Sequence, residues 1–500
     1  MSQSPSLAYT TLVQKCNELT FIHSANSALH WDQETYMPPK ALDYRSRQLA
    51  FLSGWAHKEF TSVTTGNLIS ECEQAGFSPD SVEGVNTRQL RHSYNKQTKI
   101  PSSLVEEMSQ ASTLARSAWV DARAKRDFAL FLPHLGKLIT LSQKMADYLG
   151  TGSCRYDTLM DEYEEGESAA RLRSVFAEFR KEVSAFLPEA FELSKSIPGN
   201  LLEGYYPIEA QQKFNRDVAA AIGFDFEAGR IDTTAHPFCT ELGPRDCRLT
   251  TRYDERNFLS SLYGVLHEAG HGLYNLGLPE EQYGLPAGTY SSLGIHESQS
   301  RLWENHIGRT REFWSLWHEK AVHYFPELKR HSPDQIARFV NRSEPSFIRV
   351  EADELTYDLH IILRFEIEYR LIEGDLKAQD LPAFWNNEFE KSFGLKVPDD
   401  SQGCLQDIHW SMGGFGYFPT YTLGNMNAAQ LMRKAHLDHP HLNEELARGR
   451  YTPLLDWLRT HIHSKGKRFS PQELMKSATG EATNPHYHIT RLKKKLDLLK

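Results

Sequence analysis

The period of the apolar residues constrains this chain more than any other feature. Leu104, Met108, Leu114, Ala118 and Trp119 recur at helical spacing across 101–150, after Pro101 and Ser102, which mark a helix start. Leu172, Val175, Phe176, Phe179 and Val183 repeat the pattern in 161–194, and Leu355, Leu359, Ile362 and Phe365 repeat it over 350–373, where Gly374 is placed to cap the helix. No Gly/Ser linker, charge block, low-complexity tract or fixed-period repeat divides the chain. Although 500 residues would accommodate about three domains by length, the expected fold is mainly α, one large helical body over residues 1–500 without separable domains.

One stretch departs from this pattern. Residues 231–253 are rich in Thr, hold two prolines and a Leu-Gly-Pro turn signal, and alternate Cys247, Leu249 and Thr251 with Arg248, Thr250 and Arg252. That is the signature of short strands, read as a hairpin. It immediately precedes the chain's strongest motif, so the expectation is a small β element beside an active site.

Composition removes several classes of function. Apolar residues make up 40%, enough for a large core, so the chain is not read as disordered. A net charge of −9 lacks the basic footprint of a nucleic-acid binder, and the short basic tail Arg491 to Lys495 reads as a solvated helix face. Six cysteines without CxxC spacing argue against a disulfide scaffold and suit a reducing compartment. No run of 18 uncharged apolar residues is present, the first residues lack a signal-peptide pattern, and Ser2 stands where myristoylation needs glycine. The expected location is the cytoplasm, with no membrane and no nucleic acid as partner.

Of the 22 histidines, one pair is spaced for chemistry: His267-Glu268-Ala269-Gly270-His271. On a helix, His267 and His271 lie one turn apart on one face and can reach one ion, while Glu268 can touch a bound water without ligating the metal. Asp254 is a possible cap for this helix, with Phe258, Leu262, Val265 and Leu266 as its buried stripe. Gly270 and Gly272 are poor helix formers, so glycine there signals a closely packed neighbour or room for substrate. A catalytic site needs a third protein ligand and an open position. Glu297, 26 residues after His271 on a separate helix, is the leading candidate, with adjacent His296 and, on the same helix, Glu304 as alternatives. Such a centre would hydrolyse an amide: zinc lowers the pKa of its water to near 7 and polarises the carbonyl, and Glu268 moves the proton to the leaving amine.

The metal motif belongs to an ordered series. His236-Pro237-Phe238, Asp246-x-Arg248-x-Thr250, HEAGH, His296-Glu297-Ser298-Gln299, Ile348-Arg349-x-x-Ala352-Asp353 and Gly403-x-x-Gln406-Asp407-x-His409-Trp410 follow one another. Trp31 to Pro39 and Tyr156-Asp157-x-Leu159-x-Asp161 extend it over nearly the whole chain. The series resembles the carboxypeptidase Taq family of metallocarboxypeptidases. That resemblance implies a saddle-like helical subunit with a deep groove, closed at one end by the HPF and DxRxT elements. It also implies a homodimer, one Zn²⁺ that Co²⁺ can replace, and release of single C-terminal residues from peptides with a free C-terminus. It makes Glu297 the third ligand and sets Arg248, Arg349, His409 and Tyr421 near the substrate.

Chemistry adds roles to these residues. A free carboxylate calls for a guanidinium that pairs bidentately, and Arg349, at the N-terminal edge of the 350–373 helix, is the first choice over Arg248. The competing partners are Asp353 for Arg349 and Asp246 for Arg248. His409 and Tyr421, the latter ending a Gly-rich aromatic loop over 413–421, are candidate donors to the oxyanion, and Tyr417 is chemically equivalent. His236 reads as groove-lining. Two further readings share part of this pattern: a zinc endopeptidase, and a helical binding scaffold with an inert zinc motif.

Overall fold

A computed structural model describes residues 7–500; residues 1–6, part of the segment read above for a leader, lie outside it. Among the described residues there are twenty α-helices, from Leu7–Thr35 to Pro485–Leu499, and one sheet of three short strands. The sheet comprises β1 (Gly229–Thr233), β2 (Cys239–Gly243) and β3 (Asp246–Thr251). β2 and β3 form the expected antiparallel hairpin, with Cys239 opposite Leu249 and Glu241 opposite Cys247. β1 adds a parallel pairing on the other side of β3, Ile231 opposite Leu249, so β3 is central and β2 an edge.

The helical stripes are present with shifted bounds. Residues 101–150 form two helices, Ser102–Lys125 and Leu132–Leu149, because Arg126 turns left-handed (φ 57°) and the Asp127 side chain accepts from Ala129 N–H to start a separate turn. Leu114 points to solvent at 62% exposure while Ala115 is buried, a one-residue displacement of the expected stripe. The helix expected in 161–194 starts at Ala169, with Ser168 as its cap. The helix expected from residue 350 is Tyr357–Glu373. Its start is delayed because the Asp353 carboxylate accepts from Leu355 N–H, Thr356 Oγ1 and Ser343 Oγ, holding the chain in a turn. Gly374, at φ 90°, closes it as expected.

Two large apolar clusters form the core. One gathers Phe258, Leu262, Val265 and Leu266 with Trp303, Trp314 and Trp317. The other gathers Phe176, Phe179 and Val183 with Leu359, Ile362, Phe365, Trp385 and Trp410. The helix Pro419–Asp438 serves both, giving Leu423 and Met426 to the second and Ala428, Leu431 and Ala435 to the first. The basic tail is solvated only in part: Lys493 and Lys494 are exposed, as expected, but the rest is not. Lys495 is buried, and its ammonium and the Arg491 guanidinium both pair with buried Glu354, at 2.6 and 3.0 Å. Three turns of the Pro485–Leu499 helix thus dock through charge as well as through Ile489, Leu492 and Leu496.

Glycine sets the spacing of the elements that meet between the clusters. A Cβ on Gly270 would lie 2.6 Å from both Gln299 O and Ser300 Cα, and one on Gly424 would lie 2.5 Å from Glu297 Cγ. Both helices therefore close on the short helix Leu293–Arg301 to distances that no side chain permits. Gly270→Ala should force that helix away, costing about 1–3 kcal/mol of stability. Thermal unfolding with metal titration checks this; unchanged melting and unchanged metal affinity would show that the approach is not needed.

Candidate metal centre and active site

The HEAGH segment lies in the helix Phe258–Asn275. Its cap is Asn257, whose side chain accepts from Ser260 N–H, while the Asp254 carboxylate is turned to Arg256 N–H. The expected stripe Phe258, Leu262, Val265 and Leu266 is buried. His267 and His271 stand with ring centres 4.8 Å apart. Each ring is oriented from behind. His267 Nδ1 bonds the Glu304 carboxylate at 3.0 Å, and His271 Nδ1 bonds the His296 carbonyl at 3.1 Å. Holding one ring nitrogen in this way aims the other at a common point.

Glu297 closes that point. Its Oε2 lies 3.7 Å from His267 Nε2 and 3.6 Å from His271 Nε2, too far for hydrogen bonds. Tetrahedral bonds of about 2.0–2.1 Å would put ligand atoms about 3.3 Å apart, so these two separations are close to what one shared ion needs. These three residues are the only group of three or more potential ligands that converges among the described residues. His296 stays outside: its Nε2 bonds Asn275 Oδ1 at 2.9 Å and its ring stacks on His271. Glu304 stands behind His267 instead of beside Glu297.

Arg301 organises both carboxylates, with Nε 2.7 Å from Glu297 Oε1 and Nη1 3.2 Å from Glu304 Oε2. Arg309 adds a contact to Glu304 at 3.2 Å. Burial resists the charge on Glu304, but Arg301, the His267 bond and Arg309 outweigh it and hold its pKa well below the usual carboxylate range. Burial pushes Glu268 the other way, up to about 7, with His267 opposing and Glu297 and Glu304 adding to the rise. A carboxyl poised there suits proton transfer at neutral pH. Burial, then His296 and His267, lowers the pKa of His271, which favours the neutral imidazole a metal needs.

The centre opens on a groove with a cavity volume of about 770 Å³. Its walls include Glu268, Tyr290, Tyr417 and Tyr421 on one side, Thr20, His23, Ser24 and Ser27 of the first helix on another, and the run Pro237–Glu241. Tyr421 sits in the first turn of the helix Pro419–Asp438; the loop expected over 413–421 ends at Phe418, where Pro419 starts the helix. Both tyrosines line the groove, 5.5 Å apart between ring centres.

The other expected site residues lie around this set and not among the residues that line the groove. His409 is behind Tyr421, with Nε2 3.3 Å from its hydroxyl, and burial takes its pKa down to about 4. Arg349 is 5% exposed and starts a short turn well before the helix it was expected to border, so no helix dipole acts there. Its partner is Asp407, at 3.0 and 2.7 Å, with Tyr357 at 2.9 Å, and not Asp353. Arg248 pairs bidentately with Asp246, both bonds 2.8 Å, and covers the Trp31 ring. His236 is exposed in the connection between β1 and β2. Sequence reasoning did not single out Arg301, although it follows Glu297 by four residues and precedes Glu304 by three, the spacings at which helical side chains meet. Asn275, one turn beyond His271, was equally readable.

The chain matches the carboxypeptidase Taq (M32) metallopeptidase family over residues 11–496. It belongs to that family. It is 40% identical to thermostable carboxypeptidase 1 of Thermus thermophilus, over 98% of this chain and 99% of the relative. Solved M32 structures share the fold. The M32 carboxypeptidase of Deinococcus radiodurans superposes with a TM-score of 0.95 at 36% identity, covering 99% of this chain and all of that one. Trypanosoma cruzi metallocarboxypeptidase 1 gives 0.94 at 33%, over 98% of this chain and 99% of that one. The M32 chain described here is accordingly a metallocarboxypeptidase, and the converging triangle is its candidate metal centre.

Glu304→Gln removes the charge that fixes the His267 ring and leaves Arg301 and Arg309 short of a counter-ion. Metal affinity should fall about 10–100-fold, read by competition with a chromophoric chelator. Unchanged affinity would mean that the ring is held without Glu304.

Proposed function

We propose that this M32 enzyme releases single residues from the C-terminus of peptides, with one Zn²⁺ held by His267, His271 and Glu297. The observation that carries the reading is the convergence of two imidazole nitrogens and one carboxylate oxygen beside Glu268, on the floor of a groove. A divalent ion in that triangle would acidify a coordinated water to a pKa near 7 and polarise a peptide carbonyl. Co²⁺ suits the same nitrogen and oxygen donors.

Glu268 is the proposed general base. It stands on the metal helix next to a ligand, and its raised pKa lets it take a proton from water and return it to the leaving amine. Tyr421 is the proposed donor to the developing oxyanion, with His409 positioning its hydroxyl from behind. Arg349, Arg248 and His236 are the proposed substrate-binding residues. A peptide carboxylate reaching Arg349 would share it with Asp407, so this recognition depends on a guanidinium already locked in orientation.

The whole described chain is proposed to act as one catalytic domain, since the helix Pro419–Asp438 belongs to both cores and touches Glu297. A homodimer is the proposed assembly. Phe21, Leu42, Tyr44, Phe51 and Trp55, on the first two helices, expose apolar surface of the sort that a second subunit covers. A cytoplasmic location is proposed on the six free cysteines. No helix of the described residues is long and apolar enough to cross a membrane.

Two experiments test this reading. Glu268→Gln should retain metal and lose about 10²–10⁴ of kcat/KM; near-normal turnover would remove Glu268 from the mechanism. Amidation of the peptide C-terminus should abolish cleavage, followed by mass spectrometry of metal-loaded and chelated enzyme. Cleavage of the amide at an unchanged rate would instead support the endopeptidase reading.

A further inference from the structure

One acid on the groove wall has no counterpart on the protein. Glu241 stands on the edge strand β2, opposite Cys247 in the ladder. Residues paired across a ladder point to one face, and on this face Cys247 and Leu249 pack on Gly272 of the metal helix. Glu241 therefore faces the same side as the metal helix, and it lines the groove beside Thr240 and Tyr283. Its acidic neighbours in the sheet are both satisfied: Asp232 holds Arg230 and Asp246 holds Arg248. Arg245, four residues on, is turned away to Glu280. Among the described residues Glu241 has neither an ion pair nor a side-chain hydrogen bond, and burial pushes its carboxyl up to about 8 with no cation acting against the rise. A carboxylate withdrawn from water without a partner costs free energy, and a cation entering the groove relieves that cost.

The molecule that enters this groove in an M32 enzyme is a peptide, so the available cation is a peptide side chain. We propose that Glu241 is a specificity-determining residue, pairing with a lysine or arginine side chain of the substrate and favouring basic over neutral residues beside the scissile bond. This rests on the function proposed above. Arg248 and Asp246, further along the hairpin, neutralise each other and leave the preference to Glu241.

The test uses metal-loaded enzyme and N-acylated peptides, which lack an α-ammonium, carrying arginine or norleucine at the last or the penultimate position. Wild type should favour arginine at one of the two positions, which identifies the subsite. Glu241→Gln should lower kcat/KM for that arginine peptide on the order of tenfold, mainly through KM, with norleucine peptides within about twofold. Glu241→Lys should reverse the preference toward glutamate. Equal losses on arginine and norleucine peptides, or no loss on either, would overturn the proposal. If wild type cleaves none of the peptides, the exopeptidase reading fails by itself. Calorimetric binding of the same peptides then decides on Glu241: discrimination lost in Glu241→Gln supports it, and identical binding to both proteins refutes it.

Discussion

The candidate metal triangle depends on how closely three helices approach. His267 and His271 come from one helix and Glu297 from another, and their nitrogen and oxygen atoms meet only because Gly270 allows backbone contact between the two. Gly424 then seats the helix Pro419–Asp438 against the Glu297 side chain from the opposite direction. A carboxylate confined in this way has few rotamers left, and Arg301 selects among them by taking one oxygen and leaving the other to the histidines. Precision at the centre is thus a property of backbone packing.

Around the triangle, each buried charge is matched to a task. Glu304 spends its negative charge on Arg301, Arg309 and the His267 ring, and so remains ionised. Glu268, one residue from His267, has no guanidinium bonded to it, and burial raises its pKa. Two carboxylates in one small volume are thereby separated in protonation behaviour by their partners alone, the arrangement that acid–base chemistry at neutral pH requires. Pairing also explains the C-terminal helix, whose Arg491 and Lys495 meet at one buried glutamate.

Much of this was legible in the sequence. The apolar period gave the helical class, the alternation around Cys247 and Leu249 gave the hairpin, and HEAGH with a later Glu gave the three side chains that converge. The misreadings share a cause. The helix start at Tyr357, the break at Arg126 and the cap at Asn257 depend on local side-chain bonds that compete with helical continuation, and the start at Pro419 depends on the ring of that proline. Periodicity does not register such bonds. The partners of Arg349 and Glu354 come from distant segments, 407 and 491–495, so spacing along the chain pointed instead to near neighbours such as Asp353. The parallel addition of β1 was hidden for the same reason, since its pairing spans a crossover.

The Arg349–Asp407 pair has one further member. Arg364, fully buried, reaches the second oxygen of Asp407 at 2.6 Å, so two guanidinium groups share one carboxylate. His409 nearby, with its pKa down to about 4, contributes no charge at neutral pH. The cluster therefore keeps a surplus of one positive charge in a poorly screened interior, just behind the Tyr421 wall. Its potential extends through the tyrosine layer and tilts that end of the groove toward anions before contact is made. A negative group at that end of the groove would meet this field over a short distance, where added salt weakens it less than it weakens the field between two exposed charges.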